Sequence, residues 1–251
     1  MEPNFSLDES DIPTAEEADP KDVKIFRELV GSLGWVVTWT RSDCAFSVNY
    51  LARFLLRPNR RLINTAKQVI RYLASSRDSG IHFRRRKPSD PLDDMLQVYA
   101  DTSDADCKLT SRSTGGFIVF INGAAVSWKS GRLPLVTLSS AESEYVQITM
   151  ACQEILFLRE LMEKLGYGQK ATVVFEDNQA AIALCNNPVF HRRTRHIRRR
   201  YHFVRQCVED GEIYIAYVKS EDNVADMLTK PLPYVVFIRH RRKALNEDAR
   251  I

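Results

Sequence analysis

One segment, residues 138–166, constrains the fold of this chain more than any other. Its apolar residues recur at the spacing of a helix that buries one face, and these are Ala141, Tyr145, Ile148, Cys152, Ile155, Met162 and Leu165. Ser139 and Glu142 form a capping box at its start, and Gly166 is a stop signal. Glu144 lies within the apolar stripe, where a lone carboxylate costs roughly several kcal/mol unless a cation or hydrogen bonds meet it. The segment therefore predicts a long core helix that brings an acidic side chain to a functional site.

Three further acidic residues stand at the ends of predicted core elements. Asp101 and Asp177 each follow an apolar, β-prone segment, and Asp226 lies on a short helical turn. Ligands bind at the carboxyl ends of strands in open α/β sheets, and Mg²⁺ prefers oxygen ligands. Two such ions about 3.5–4 Å apart activate a water and stabilise the leaving oxygen in phosphodiester hydrolysis. We therefore predict one site for two Mg²⁺ or Mn²⁺ ions, built from Asp101, Glu144, Asp177 and Asp226.

The spacing of these acids alone leaves simpler interpretations open. An aspartate after a strand is often only a turn residue. An acid in the first turns of a helix is also favoured by the helix dipole, whatever its function. The four carboxylates would repel one another without metal, so an empty site should show raised pKa values.

The order of predicted elements after residue 94 defines the fold class. The elements are strands at 95–100, 115–122 and 124–129, the long helix, a strand at 171–176, a helix at 178–184, a basic helix at 194–209, a strand at 212–218 and a helical turn at 224–228. Asn122-Gly123 is a strong hairpin signal between the second and third strands. This order predicts an α/β fold, a mixed five-stranded sheet flanked by helices.

Changes in composition divide the chain. We expect a disordered acidic N-terminus at 1–21, a small helical unit at 22–84, a linker at 85–94, the α/β domain at 95–233 and a charged, frayed tail at 234–251. In the helical unit, Asp43 is predicted to cap the second of three helices, and 81–84 to form a short strand. The unit is either a structural connector or a nucleic-acid path lined by Arg53, Arg57, Arg60, Arg61, Lys67 and Arg71.

Charge and cysteine usage indicate the kind of partner and compartment. The formal net charge is +4, but residues 1–20 hold seven acids and no Lys or Arg, whereas 191–205 hold seven Arg, three His and no acid. Such a distribution favours a polyanionic partner, although a charge run is also common on a solvated face. The five cysteines are scattered without a C-x-x-C pair, and no apolar run is long enough to span a bilayer. We expect an intracellular protein, cytoplasmic or nuclear, that is neither secreted nor bound to a membrane.

Several motifs, in this order along the chain, resemble the ribonuclease H region of copia-type LTR retrotransposon Pol polyproteins. They are Tyr99-Ala100-Asp101-Thr102-Ser103, Arg112-Ser113-Thr114-Gly115-Gly116-Phe117, Ser127-Trp128-Lys129-Ser130, Leu138-Ser139-Ser140-Ala141-Glu142-Ser143-Glu144-Tyr145, Glu176-Asp177-Asn178-Gln179-Ala180, the run 191–205 and Ala225-Asp226-Met227-Leu228-Thr229-Lys230-Pro231-Leu232. Motifs in the helical unit resemble the end of the reverse transcriptase: Phe26-Arg27-Glu28-Leu29-Val30-Gly31-Ser32-Leu33, Thr40-Arg41-Ser42-Asp43-Cys44-Ala45-Phe46 and Arg71-Tyr72-Leu73. The polymerase motif Tyr-x-Asp-Asp is absent, so we do not expect this chain to polymerise DNA by itself.

The resemblance implies a ribonuclease H-like fold over 95–233 and a role for each acid. Asp101 matches the first-strand Asp, Glu144 the helix Glu, Asp177 the fourth-strand Asp and Asp226 the last-helix Asp. Glu142 competes with Glu144 as the helix acid, and we prefer Glu144 because Glu142 is placed to cap. Asp104 and Asp106 compete with Asp101, which alone ends the apolar run.

The implied activity is metal-dependent hydrolysis of the RNA strand in an RNA–DNA hybrid, and the reverse transcriptase polymerase domain is an implied partner. A contact to the 2′-OH would select RNA, and phosphate contacts by the basic helix would be salt-dependent. The candidate nucleic-acid contacts are Ser103, Thr114, Asn178, Gln179, Arg192, Arg193, Arg195, His196 and Arg199. An active element would place the protein in a virus-like particle.

The sequence departs from the family pattern at three places. The loop 219–223 lacks the histidine of cellular ribonucleases H, Cys107 stands where Trp is common, and Leu133 where Gln is common. The alternative function is a catalytically silent remnant of the polyprotein that still binds nucleic acid.

Overall fold

The computed structural model describes residues 1, 5, 7, 9–14, 16–85, 95–107, 110–186 and 198–249, without the side chains of 9, 104–107, 198–201 and 249. Its strands are β1 (Leu96–Cys107), β2 (Arg112–Ile121), β3 (Ala124–Arg132), β4 (Thr172–Glu176) and β5 (Ile213–Tyr217). Its α-helices are α1 (Pro20–Trp39), α2 (Ala45–Ala52), α3 (Arg60–Ser75), α4 (Ser140–Lys164), α5 (Gln179–Asn186), α6 (Arg198–Glu209) and α7 (Tyr234–Leu245). A 3₁₀ turn, Val224–Leu228, lies between β5 and α7.

The strands form one mixed sheet in the order β3-β2-β1-β4-β5. β1, β2 and β3 are an antiparallel meander, whereas β4 pairs parallel with β1, and β5 pairs parallel with β4. Asn122 and Gly123 join β2 to β3 with positive φ angles of 51° and 81°, as a two-residue hairpin of the primed type requires. The predicted α/β class, a mixed five-stranded sheet flanked by helices, is confirmed.

The long helix begins and ends where its sequence predicts. The Ser139 hydroxyl accepts a hydrogen bond from the Glu142 amide at 3.2 Å, and the Glu142 carboxylate accepts one from the Leu138 amide at 2.9 Å. Gly166 follows the helix with φ +84°, a left-handed conformation that glycine adopts without strain. These caps hold the first turns of α4 in register, and Glu144 lies on those turns.

The sheet is covered on both faces. On one face, α4 packs with α5 and α6 against Val98, Ala100 and Val119. On the other face, α1–α3, the 3₁₀ turn and α7 share a core with Tyr99, Ile118 and Phe120. The Trp128 indole on β3 also donates to the Val37 carbonyl of α1 at 2.9 Å. The helical unit therefore packs directly on the sheet.

The structure corrects the predictions for the chain termini. The tail was expected to be frayed, but α7 occupies 234–245 and buries His240, Ala244 and Leu245. In the acidic N-terminus, expected to be disordered, Phe5 and Leu7 are buried, and the Phe5 ring packs edge-on to Tyr50 at 5.7 Å. In both cases a few apolar residues are buried against a distant part of the chain, a contact that local charge does not reveal.

Local predictions in the helical unit also need correction. Asp43 does not cap α2; its carboxylate pairs with the Arg41 guanidinium at 2.8 Å and accepts the Tyr72 hydroxyl. The segment 81–84 forms no strand, although the His82 amide donates to the Leu245 carbonyl at 2.9 Å. Most of the predicted linker 85–94 lies outside the described residues.

Cys44, Cys152, Cys185 and Cys207 are buried free thiols within the described part of the chain. No described helix combines the length and the apolar character needed to cross a membrane.

Candidate active site

Asp101 lies within β1 and not at its end, because the pairing with β2 continues beyond it to Cys107. This corrects the predicted strand end at Ala100. Asp101 is 3% exposed, and one of its carboxylate oxygens accepts a hydrogen bond from the Thr229 hydroxyl. Thr229 directly follows the 3₁₀ turn, so this bond ties the turn to the centre of the sheet.

Two adjacent glycines on β2 let elements on both faces approach Asp101. Gly116 pairs with Asp101, and a Cβ atom at Gly116 would lie only 2.5 Å from the Leu228 Cβ on the 3₁₀ turn. Neighbouring strand residues face opposite sides, and a Cβ atom at Gly115 would collide with the Gln147 side chain of α4. The absence of both side chains lets the 3₁₀ turn and α4 close over the same stretch of β1.

Glu144 reaches the site from the start of α4. It is 5% exposed, and its neighbour Ser143 accepts a hydrogen bond from the Thr102 hydroxyl at 3.0 Å. Carboxylate oxygens of Asp101, Glu144 and Asp177 all lie within 4.8 Å of one another. The sequence-based preference for Glu144 agrees with this grouping, since Glu142 caps the helix. The side chains of Asp104 and Asp106 lie outside the described residues.

The end of β4 supplies two acids side by side. Asp177 is half-buried and joins the carboxylate cluster, whereas Glu176 is fully buried just before it. One Glu176 oxygen accepts the Asn178 amide at 3.0 Å. The other Glu176 oxygen, like Glu144 Oε2, is buried without a hydrogen-bond partner in the structure.

Asp226 approaches from the 3₁₀ turn and is 7% exposed. It forms an ion pair with Lys230, whose Nζ lies 2.7 Å from Asp226 Oδ1. Asn223 fixes the turn, since its side-chain amide donates to the Ala100 carbonyl at 2.8 Å. Asp226 is not part of the three-acid cluster, but it lies close enough to Asp101 for its charge to affect that carboxyl.

The buried acids raise one another's pKa values, as expected for carboxylates grouped to bind a cation. Burial, followed by the charges of Glu144 and Asp226, raises the pKa of Asp101 well above its ordinary value. Burial and then the charge of Glu176 do the same to the pKa of Glu144. Burial lowers the pKa of Lys230, but the charges of Asp101 and Asp226 outweigh it and leave that pKa raised. The site therefore favours positive charge.

The donor set fits a hard divalent cation. All three clustered residues offer carboxylate oxygens, the ligand type that Mg²⁺ and Mn²⁺ accept. Glu144 Oε2 is buried and lacks a partner that such an ion would supply. The four predicted ligands Asp101, Glu144, Asp177 and Asp226 thus converge, three of them in one cluster.

The predicted nucleic-acid contacts fare differently. Thr114 is completely buried and its hydroxyl accepts from Arg53 at 2.8 Å, so it has no exposed surface for a ligand. The Asn178 side-chain oxygen accepts the Ala180 and Ala181 amides and caps α5, so it is not available as an acceptor for a ligand. Ser103 and Gln179 retain exposed surface. Arg192, Arg193, Arg195 and His196 lie outside the described residues, as does the side chain of Arg199.

Sequence reasoning missed four residues of the site. Glu176, Asn223, Thr229 and Lys230 are buried or half-buried around the acids. Thr229 and Lys230 belong to the motif already recognised around Asp226. Their closeness to Asp226 along the sequence is the signal that could have identified them. Nothing local to Glu176 distinguishes it from an ordinary strand-end acid.

The fold and the acidic cluster define an α/β domain that carries a carboxylate cluster on a mixed sheet. The sequence has clear relatives. The chain is 33% identical over 231 residues to a retrovirus-related Pol polyprotein from transposon TNT 1-94 of Nicotiana tabacum, a match that covers 92% of this chain and 17% of that protein. It is 35% identical over 219 residues to the Pol polyprotein from transposon RE2 of Arabidopsis thaliana, covering 87% of this chain and 15% of that protein. No protein-family model matches the chain. Its homologues are thus retrovirus-related Pol polyproteins of copia-type plant transposons, which confirms the resemblance given by the motifs.

Among solved structures, the N-terminal RNase H domain of a Mycobacterium tuberculosis protein is similar over 59% of this chain and 96% of that chain. The sequence identity there is 13% and the TM-score 0.41. The fold assignment therefore depends on the strand order and pairing described above. The chain spans about one sixth of the relatives it matches, since it covers 17% and 15% of their lengths.

Proposed function

We propose that this chain is a metal-dependent endonuclease that hydrolyses the RNA strand of RNA–DNA hybrids, as one part of a retrotransposon Pol polyprotein. The observation that carries the proposal is the convergence of Asp101, Glu144 and Asp177, with oxygens within 4.8 Å of one another, on a ribonuclease H-like sheet. The Pol polyproteins to which the chain is homologous support it. Four acids on four separate elements would be a costly arrangement in a purely structural core.

Asp101, Glu144 and Asp177 would hold two Mg²⁺ or Mn²⁺ ions, with Asp226 beside them. Bound metal would lower the pKa of the attacking water and stabilise charge on the 3′ leaving oxygen. Asp177 is the most exposed of the three clustered acids, so it would be the one most accessible to a substrate that approaches from solvent.

The surrounding residues position these acids. The Thr229 hydroxyl fixes one oxygen of Asp101 and leaves the other for the cluster. Lys230 holds Asp226 by its ion pair, and its positive charge beside the acids would attract a substrate phosphate. Ser103 and Gln179 are the described candidates for polar contacts to the 2′-OH that would select RNA.

Cleavage of a labelled RNA–DNA hybrid by the purified chain tests the proposal. Reactions in Mg²⁺ and in Mn²⁺ are run beside single-stranded RNA and duplex DNA, with Asp177→Asn as the test variant. Asp78→Asn is the matched control, because Asp78 is an exposed acid at the end of the helical unit. The expected result is metal-dependent cutting of only the RNA strand of the hybrid, retained by Asp78→Asn and lost in Asp177→Asn.

Two other outcomes contradict the proposal. Hybrid binding without cutting in either metal favours the silent remnant that only binds nucleic acid. Cutting that persists in Asp177→Asn rejects the assigned site. We also propose the polymerase region of the same polyprotein as a partner that delivers the hybrid, and its addition should then raise the cutting rate of the wild type but not of Asp177→Asn.

A further inference from the structure

A basic cavity of about 810 Å³ lies between the helical unit and the sheet. Arg27 of α1, Arg53 and Arg57 after α2, and Arg132 at the end of β3 all line it, and we call it the four-arginine pocket. These guanidinium groups come from three separate segments of the chain. Their convergence on one concave surface is therefore produced by the packing of the helical unit on the sheet.

The described lining of the four-arginine pocket holds no acidic residue. Arg57 and Arg132 are exposed, and no ion pair to either is found among the described residues. Arg27 uses its Nε to donate to the Leu55 carbonyl at 3.2 Å, which fixes the direction of its guanidinium. Guanidinium groups match phosphate oxygens in charge and geometry.

The pocket is directly connected to the carboxylate site. Arg53 donates to the Thr114 hydroxyl at 2.8 Å, and Thr114 pairs with Ser103, two residues beyond Asp101 on β1. Arg132 pairs with Thr114 from the other side, on β3. With a rise of about 3.3 Å per residue and strands about 4.8 Å apart, the backbone of Arg132 lies on the order of 12 Å from that of Asp101.

This separation corresponds to about three to four phosphates along a nucleic-acid strand. A nucleic-acid strand carries one phosphate per about 3.4 Å of helix axis, so a substrate at the carboxylates would extend into the pocket within a few nucleotides. We propose that the four-arginine pocket binds backbone phosphates of the nucleic acid a few nucleotides from the bond that is cut. The inference depends on the proposed function for its substrate, and it makes the helical unit part of the substrate-binding surface.

The test compares Arg57→Gln/Arg132→Gln with Arg77→Gln. Arg57 and Arg132 are exposed, so the double variant should fold. Arg77 is an exposed arginine that follows the end of α3. The start of α3 lies near the pocket, since Asn59, which precedes α3, donates a hydrogen bond to the Asp11 carbonyl. The length of α3 separates the two ends by about 24 Å. Arg77→Gln thus removes one positive charge, half of what the double variant removes, at a distance from the pocket.

Binding of a fluorescent hybrid of about 20 base pairs is measured by anisotropy in EDTA, over a range of salt concentrations. Loss of two phosphate contacts should reduce the slope of log affinity against log salt by about 1.8, and should weaken binding on the order of 10- to 100-fold at about 0.1 M salt. Arg77→Gln should bind as the wild type does. Equal salt slopes for the double variant and Arg77→Gln would overturn the proposal.

Two further measurements distinguish failure of the pocket proposal from failure of the proposed nuclease function. Binding in EDTA requires no cutting. A chain that binds the hybrid through the pocket but never cuts it would therefore contradict only the proposed nuclease function. A chain that cuts the hybrid, with the same KM in the double variant as in the wild type, would contradict only the proposed role of the pocket. Inorganic phosphate at about 10 mM is the third probe: a thermal shift that the double variant abolishes, with unchanged hybrid binding, would assign the pocket to free phosphate and overturn the nucleic-acid assignment.

Discussion

Replacing Glu144 by Gln should stabilise the metal-free protein while it abolishes cleavage. Glu144 is 5% exposed, its pKa is raised by burial and by Glu176, and one of its oxygens lacks a hydrogen-bond partner. At neutral pH, folding therefore requires either a buried charge near other charges or the uptake of a proton. Gln keeps the shape and removes that requirement.

The distance between the carboxylates sets the size of the effect. Two full charges at most 4.8 Å apart repel by at least about 3.5 kcal/mol at an effective dielectric constant of about 20. Proton uptake and the nearby Lys230 reduce the real cost. We expect Glu144→Gln to raise the free energy of unfolding by about 1–3 kcal/mol, which corresponds to a rise in Tm of about 2–12 °C for a chain of this size.

The pH dependence of the stability difference between Glu144→Gln and the wild type tests the direction of the effect independently. A carboxyl whose pKa is raised in the folded state stabilises fully below its unfolded pKa and loses that contribution as pH rises through the folded value. The advantage of Glu144→Gln over the wild type should therefore be largest near pH 8 and should shrink toward pH 4. Because it is a difference between two proteins, the other titrating groups largely cancel.

Thermal unfolding in EDTA at several pH values is the assay. Glu163→Gln is the matched control, since Glu163 is an exposed acid on the same helix, and it should leave Tm within about 1–2 °C of the wild type. A Glu144→Gln protein that is less stable than the wild type at pH 8, or whose advantage grows as the pH falls, would refute the reasoning.

Three more substitutions probe how the site is assembled. Gly116→Ala should cost about 1–3 kcal/mol and much of the activity because its Cβ would displace the 3₁₀ turn, whereas Gly31→Ala in α1 has open space and should gain about 0.5–1 kcal/mol in the same denaturation assay. Thr229→Val removes a hydrogen bond that lowers the pKa of Asp101, so the acid limb of the pH–rate profile should move to higher pH, while Thr229→Ser leaves it in place. Burial lowers the pKa of His240 to about 4. The neutral imidazole of His240 therefore stabilises the fold above about pH 6.5, and this contribution is lost as the pH falls toward 4. The urea midpoint of His240→Asn should fall less between pH 7 and pH 5 than that of the wild type.

The parts of this fold that could be predicted from sequence are those encoded by nearby residues. The long helix carries its caps at Ser139 and Gly166 and its apolar stripe between them, so its position and the inward direction of Glu144 follow from spacing. The β2–β3 hairpin follows from Asn122-Gly123 for the same reason.

Other parts depend on contacts between distant residues. β1 continues past Asp101 because β2 pairs with it, although residues 102–107 are polar and show no apolar run. The C-terminal helix forms because His240, Ala244 and Leu245 are buried in the fold, a contact hidden in a segment that reads as charged.

The site shows the same division. Asp101, Asp177 and Asp226 were recognisable by motif and position, whereas Thr229 and Lys230 gained their roles only when the 3₁₀ turn closed over β1. Thr114 belongs to a recognised motif, yet the helical unit covers it with Arg53. No local sequence pattern predicts that the helical unit buries Thr114.

Anomalous diffraction from crystals soaked in Mn²⁺ tests the central claim most directly, because it locates the cation without relying on activity. We predict anomalous peaks in contact with the carboxylates of Asp101, Glu144 and Asp177 in the wild type, and their loss or weakening in crystals of Asp177→Asn. Peaks elsewhere, or an unloaded cluster at Mn²⁺ concentrations that saturate hybrid cleavage, would contradict the assignment of these three acids as the metal site.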